Sequence, residues 1–183
     1  MIRLFAGLEL PEDIQDSIAT LQSGLPDARW VSKEKLHLNL CFIGNIQENI
    51  ADNIHDKLCQ MRFPSFNLGF KELGYFETSG IPHHLWLGVD YYQALDELSA
   101  KITNIAIDCG APPKDRFKFH AHVSLASLHG TNIVDVMRFI AANNLFKTRQ
   151  FKVYYFTLFS SHARENGEGK NYRIEARYPL TLI

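Results

Sequence analysis

Hydrophobic and polar positions along this chain switch between a period of two and a period near four, the pattern of alternating strands and helices. Arg3 to Leu10 reads as a strand. Pro11 then opens a helix with Glu12 and Asp13 in its first turn, where the helix dipole favours them, and with Ile14, Ile18 and Leu21 as its buried stripe. Arg29 to Val31 and Leu36 to Gly44 read as the next strands, and Ile50, Ile54 and Leu58 mark a second helix. Phe66 to Phe76 returns to strand. The second half repeats this order. His84 to Val89 is a strand, and Leu95, Leu98, Ile102, Ala106 and Cys109 give a helix face ended by Gly110 and two prolines. Arg116 to Ser127 is a strand, and Ile133, Val136, Met137 and Ile140 form another helix stripe. Phe151 to Ser160 and Tyr172 to Leu180 complete the strands.

This order predicts a duplicated chain. The same number of residues separates His37 from Phe66 and His122 from Phe151, and each interval holds a turn, a helix and the approach to a strand. The expectation is an α+β, bilobal protein: one two-lobed domain over 1–183, with approximate repeat units 1–80 and 81–183. Two lobes related by a pseudo-twofold axis, each an antiparallel sheet with flanking helices, would enclose a central cleft.

The candidate chemistry lies in two equivalent strands, at His37-Leu38-Asn39-Leu40 and His122-Val123-Ser124-Leu125. Successive side chains of a strand alternate faces, so His37 and Asn39 share one face and Leu38 and Leu40 the other. His122 and Ser124 do the same against Val123 and Leu125. An imidazole titrates near pH 6.5, so one copy can be neutral while the other is protonated, the requirement for paired general base and general acid. Asn39 offers an amide N–H and Ser124 a hydroxyl for phosphoryl oxygens. The constellation suits acid–base chemistry on a phosphate.

Composition narrows the classes. With 46% hydrophobic and 21% charged residues the chain is of ordinary globular type. No apolar run approaches the roughly 20 residues of a membrane span, so no membrane partner is expected. Met1-Ile2-Arg3-Leu4-Phe5 reads as a strand and not a signal peptide. Cys41, Cys59 and Cys109 are scattered without Cys-x-x-Cys spacing, which fits free thiols and a cytoplasmic setting. A formal net charge of −1 argues against gripping long nucleic acid by counterion release, yet allows a small or terminal nucleic-acid substrate at a local positive patch. Arg116 and Lys118 have the parity of His122 and are candidate contacts for such a substrate.

The remaining clusters read structurally. His120 and His122 share a strand face but lack a third ligand with supporting spacing, so no metal or other cofactor is expected. His83 and His84 would point apart at an edge, and Cys41, with the parity of His37, reads as a small buried residue and not a nucleophile. The glycine-flanked stretch 167–170 lacks the phosphate-loop pattern and reads as a turn. Phe42, Tyr75, Phe76, Trp86 and Phe159 are core residues by type, with one or two of them, Phe42 foremost, available to stack a terminal base.

These residues carry a family resemblance. Arg3-Leu4-Phe5-Ala6-Gly7-Leu8-Glu9-Leu10-Pro11, Ala28-Arg29-Trp30-Val31 leading into Leu36-His37-Leu38, Phe42-Ile43-Gly44, Leu85-Trp86-Leu87-Gly88-Val89 and Phe156-Thr157-Leu158-Phe159-Ser160-Ser161 together resemble the two-histidine phosphoesterase superfamily. Within it the chain looks like the RNA 2′,3′-cyclic phosphodiesterases, also called 2′–5′ RNA ligases. Their motif is His-x-Thr-x; His37 and His122 match its histidines, Ser124 keeps the hydroxyl, and Asn39 replaces the first threonine. Ser127 stands where the family commonly has arginine. The resemblance implies metal-independent hydrolysis of RNA 2′,3′-cyclic phosphate ends to 2′-phosphate, with His37 as proton donor and His122 as proton acceptor; a monomer is expected. RNA 3′ ends or nucleoside 2′,3′-cyclic phosphates would be the partners. Two alternatives stay open: a module that binds RNA ends or nucleotides at a weakened site, and 2′–5′ end joining by the reverse chemistry.

Overall fold

In the computed structural model, which describes residues 1–90, 93–111, 119–163 and 170–182, the period-two stretches become ten strands and the period-four stretches four helices among the described residues. In chain order these are β1 (Ile2–Glu9), α1 (Glu12–Ala19), β2 (Ala28–Trp30), β3 (His37–Ile46), α2 (Glu48–Gln60), β4 (Phe66–Leu68), β5 (Phe70–Thr78), β6 (Ile81–Val89), α3 (Gln93–Asp108), β7 (His122–Leu128), α4 (Ile133–Ala142), β8 (Phe151–Val153), β9 (Tyr155–Ala163) and β10 (Lys170–Pro179). The class is α+β, as the periodicities predict. No helix among the described residues is long and apolar enough to cross a membrane.

Eight strands form one antiparallel sheet in the order β10-β9-β1-β3-β7-β6-β5, with β2 paired to β7. The path reads alike outwards from its centre: β3 is followed by β1 and β9, and β7 by β6 and β5. Leu38 and Val123, each one residue past a motif histidine, are the registered pair between β3 and β7. A separate ribbon pairs β4 with β8, matching Phe66 to Val153, Asn67 to Lys152 and Leu68 to Phe151. β5 therefore joins strands of the second half, and β9 joins strands of the first. Each half lends a hairpin strand to the other side of the sheet.

One face of the sheet is buried. α3 packs on β3, α2 on β1 and β10, and α4 on β5 and β6. Leu4, Ala6 and Leu8 of β1, Leu38 and Leu40 of β3, Leu85 and Leu87 of β6 and Val123 and Leu125 of β7 are all buried in this core. Removing such apolar area from water, at about 25 cal/mol per Å², holds the helices on the sheet. α3 ends as its sequence predicts: Gly110 takes φ +86°, and the N–H groups of Gly110 and Ala111 return to the carbonyls of Ile107 and Ala106.

Three expected strands are divided or shortened. Phe66 to Phe76 is not continuous, because at Gly69 the chain leaves the β4–β8 ribbon for the main sheet. The Gly69 N–H donates to Asp90 Oδ1 at 3.0 Å, and a Cβ there would lie 2.8 Å from Asp90 Oδ2. The stretch from Phe151 likewise divides into β8 and β9. β7 begins only at His122; Arg116 and Lys118 lie outside the described residues, as do positions 167–169 of the expected turn.

Candidate active site

The open face of the sheet carries both motifs. His37 and Asn39 alternate with buried Leu38 and Leu40, and His122 and Ser124 with buried Val123 and Leu125, so all four polar residues lie on the side away from the helices. In the antiparallel register around Leu38 and Val123, His37 lies on the side of Ser124 and Asn39 on the side of His122. The structure thus brings together the four residues selected from the sequence.

The two imidazoles are held alike. His37 Nδ1 donates to the carbonyl oxygen of Lys35 at 2.7 Å, and His122 Nδ1 donates to that of His120 at 2.6 Å. A carbonyl only accepts, so the proton of each neutral ring sits on Nδ1 and Nε2 keeps its lone pair. Two such Nε2 atoms can take up or release a proton toward a ligand on the open face.

Each histidine also stands in a cage of rings. Phe5, Phe159 and Tyr172 lie 5.3, 6.0 and 5.3 Å from the His37 ring, and Phe5 stacks on Phe159 at 4.9 Å. Phe76, Trp86 and His120 lie 5.1, 6.3 and 5.7 Å from the His122 ring. Phe76, Trp86 and Phe159 therefore belong to the site's walls, whereas Phe5, Tyr172 and the caging role of His120 escape sequence reading. Cross-strand partners on β1, β9 and β10 are far apart in the chain, and only the period-two phase of β1 hints that Phe5 shares a face with Glu9, the partner of His37.

Close approach makes glycine necessary at two places. The Trp86 indole lies over Gly74, where a Cβ would come within 2.2 Å of Cζ2. On Gly7 a Cβ would lie 2.8 Å from the Leu38 carbonyl oxygen and 3.6 Å from the His37 ring.

Burial pushes both imidazoles below their ordinary titration range, against their carbonyl bonds, which favour the charged form. Around His122 the imidazoles of His120, His84 and His37 push further in the same direction. Beside His37 stand carboxylates: Glu9, its cross-strand partner, and Glu34 line a pocket of about 410 Å³ with His37, Phe159, Tyr172 and Ile174. The Arg177 guanidinium donates to both oxygens of Glu9 at 2.7 Å, and Thr157 Oγ1 donates at 2.6 Å; Arg177 foremost holds the carboxyl below its usual range.

Cys41 departs from the parity of the alternating pattern. A β-bulge leaves Leu40 without a partner on β1, since Ala6 pairs with Cys41 and Gly7 with Asn39. The phase shifts by one residue, and Cys41 turns to the helix side, buried, with Thr103 of α3 donating to its sulfur at 3.3 Å. Phe42 is returned to the open face, 41% exposed and opposite Phe5, with the Arg3 guanidinium 5.0 Å from its ring centroid. Asn39 Oδ1 and Trp86 Nε1 are buried without a hydrogen-bond partner, which leaves polar capacity unspent on this face. His83 and His84 do not point apart as expected: their Nδ1 atoms are 2.8 Å apart. Among the described residues no three His, Cys, Asp or Glu side chains converge as metal ligands.

A family model for LigT like phosphoesterases matches residues 8–86, which include the first histidine motif. An RNA 2′,3′-cyclic phosphodiesterase of Thermotoga maritima is 30% identical over 125 residues, spanning 65% of this chain and 67% of the relative. The chain belongs to this family. A second RNA 2′,3′-cyclic phosphodiesterase, from Archaeoglobus fulgidus, is 25% identical over 75% of this chain and 80% of its own. The LigT fold is also recognised in three dimensions: the apo crystal structure of Escherichia coli LigT superposes with a TM-score of 0.80 over 98% of both chains at 22% identity.

Proposed function

We propose that this LigT-like phosphoesterase hydrolyses RNA 2′,3′-cyclic phosphate ends to 2′-phosphates by paired-histidine acid–base catalysis. The matched hydrogen bonds of the two rings support it most directly: each fixes Nδ1 on a carbonyl and leaves Nε2 to handle a proton. Names of the relatives, RNA 2′,3′-cyclic phosphodiesterases, agree in substrate class.

His122 Nε2 takes a proton from water as its oxygen attacks phosphorus in line. The P–O3′ bond breaks, and His37 Nε2 delivers a proton to the departing 3′-oxygen, leaving the phosphate on O2′. The imidazoles around His122 disfavour its charged form, which suits it to the acceptor role, and the family resemblance gives His37 the role of donor. The anionic substrate supplies the charge that keeps one of the rings protonated. Asn39 and Ser124 donate to the non-bridging oxygens as charge builds there. The pocket walled by Phe159, Tyr172 and Ile174 is of a size and chemistry to hold the terminal nucleoside.

The test is incubation with a nucleoside 2′,3′-cyclic phosphate in the presence of a chelator, with the product assigned by phosphorus NMR. The nucleoside 2′-phosphate is expected. Product with the phosphate on O3′ would reverse the leaving group, and tight binding without turnover would make the protein an RNA-end binding module.

A further inference from the structure

Beyond the two histidines the open face continues into a row of hydrogen-bond donors. Arg29 on β2 and His84 on β6 are both registered with Ser127 on β7, one on each side. Directly opposed residues of antiparallel strands share a face. The face is that of His122: Trp30, next to Arg29, packs on Phe139 of α4 at 5.8 Å, and Ala126 and Leu85, next to Ser127 and His84, are buried on the helix side. Gly88 of β6 is the partner of His122, so His84 lies four residues along, about 13 Å at the rise of a strand.

Arg29 is exposed and forms no ion pair or hydrogen bond among the described residues. The 2.8 Å contact between the Nδ1 atoms of His83 and His84 requires one ring to donate and the other to accept. When His83 donates, His84 carries its proton on Nε2, and an anion in front of that atom selects this arrangement. A guanidinium, a hydroxyl and an imidazole N–H then lie side by side on three neighbouring strands, with no carboxylate among them. His84 lies two residues beyond Trp86, the partner of Ser124, so the row stands about 7 Å along the strands past the last phosphate donor of the motif and extends the site on that side. On the opposite side of the site, Glu9, bound by Arg177, and Glu34 line the pocket at His37 that takes the nucleoside in the proposed reaction.

We infer that Arg29, Ser127 and His84 form a second anion subsite that takes an internucleotide phosphodiester of an RNA strand whose end lies at His37 and His122. This rests on the proposed cyclic phosphodiesterase reading and extends it: the strand leaves the site along β7 and β6, and an oligonucleotide gains a contact that a mononucleotide lacks. The near-neutral chain, with one such row, fits a short grip on the RNA end.

Binding of product-like ligands tests the subsite without turnover. Affinities of uridine 2′-phosphate and of a triuridylate ending in 2′-phosphate are compared across a salt series for the wild type, Arg29→Gln, Arg29→Lys and His84→Gln. The wild type is expected to bind the trinucleotide at least about tenfold more tightly than the mononucleotide. Arg29→Gln is expected to remove most of that preference and to make the slope of log affinity against log salt shallower by about 0.7, the share of one single-strand phosphate, with Arg29→Lys intermediate. His84→Gln is expected to reduce the preference to a smaller degree. Equal affinities in the wild type, or an undiminished preference in folded Arg29→Gln, would overturn the subsite. Failure to hydrolyse the cyclic phosphate would instead defeat the catalytic reading and leave this binding comparison decisive for the subsite.

Discussion

Leu38 and Val123 face one another across β3 and β7, and that registered pair lies where the two halves of the sheet meet. Both side chains are buried among the helices, so the residues before and after them, His37 with Asn39 and His122 with Ser124, are turned to the open side. Two equivalent imidazoles result, in unequal surroundings. Rings of His120 and His84 bear on His122, while Phe5, Phe159 and Tyr172 enclose His37, whose cross-strand partner Glu9 is bound by Arg177. Equivalent geometry with different electrostatics is what separate proton donor and acceptor roles require.

Asn39 is expected to act through its amide N–H. Asn39→Leu should lower turnover of a nucleoside 2′,3′-cyclic phosphate by roughly 10², the usual loss for one donor to a developing oxyanion. Asn39→Thr, which restores a hydroxyl donor, should keep or raise activity. Steady-state kinetics of the pair decide, and wild-type rates in Asn39→Leu would place residue 39 outside the reaction.

The bulge that sets Asn39 in place has a prop in α3. Leu40 has no partner on β1, and its carbonyl oxygen instead accepts from Ser99 Oγ at 2.6 Å inside the core. Ser99→Ala leaves that carbonyl buried and unpaired, so urea unfolding should show a loss of about 1–3 kcal/mol. A loss well below this range would mean that the carbonyl finds another donor.

Gly74 is expected to be intolerant of even a methyl group. Its Cβ would strike the Trp86 ring, which lies 4.6 Å from His120 and 6.3 Å from His122 between ring centroids. Gly74→Ala should shift the tryptophan fluorescence and lower kcat/KM by about ten- to a hundredfold through misplacement of the His122 side. Unchanged kinetics with a shifted spectrum would separate Trp86 from the reaction.

Stability and activity should both report the depressed imidazoles. Burial lowers the titration of His37 and His122 in the folded protein, while in the unfolded chain they titrate near pH 6.5. Between those two values the unfolded chain binds more protons, so unfolding free energy rises with pH through the window and levels off above about pH 6.5. Thermal melts should show this rise, and His37→Gln with His122→Gln should flatten it. On free enzyme one ring must be charged and one neutral, so kcat/KM should peak below about pH 6.5. A peak above about pH 7.5 would contradict the burial argument.

Much of this was legible in the chain, for identifiable reasons. Alternation reports which face a strand residue takes, so His37, Asn39, His122 and Ser124 group together in the sequence itself. Periodicity also located the helices, because Ile50, Ile54 and Leu58, or Leu95, Leu98 and Ile102, recur at helical spacing. Bulges escaped it: one unpaired residue at Leu40 reverses the phase, which is why Cys41 sits on the helix side. Gly69 escaped as well, since a strand that changes partners looks continuous in hydrophobicity. Cross-strand neighbours were the least legible. Phe5 and Tyr172 meet at His37, and Arg29 and His84 at Ser127, through pairings between distant segments.

The central claim is that His37 and His122 serve one displacement as acid and base, and single-turnover hydrolysis of a nucleoside 2′,3′-cyclic phosphate tests it most directly. His37→Ala, His122→Ala and the double variant would be compared with the wild type after circular dichroism has confirmed the fold of each. Each single variant should lose at least about 10² in rate, and the double variant should be little worse than either, because removing one partner already leaves the transition state unsupported. Near wild-type turnover in either folded single variant, or a double variant whose loss is the product of the two single losses, would contradict the account.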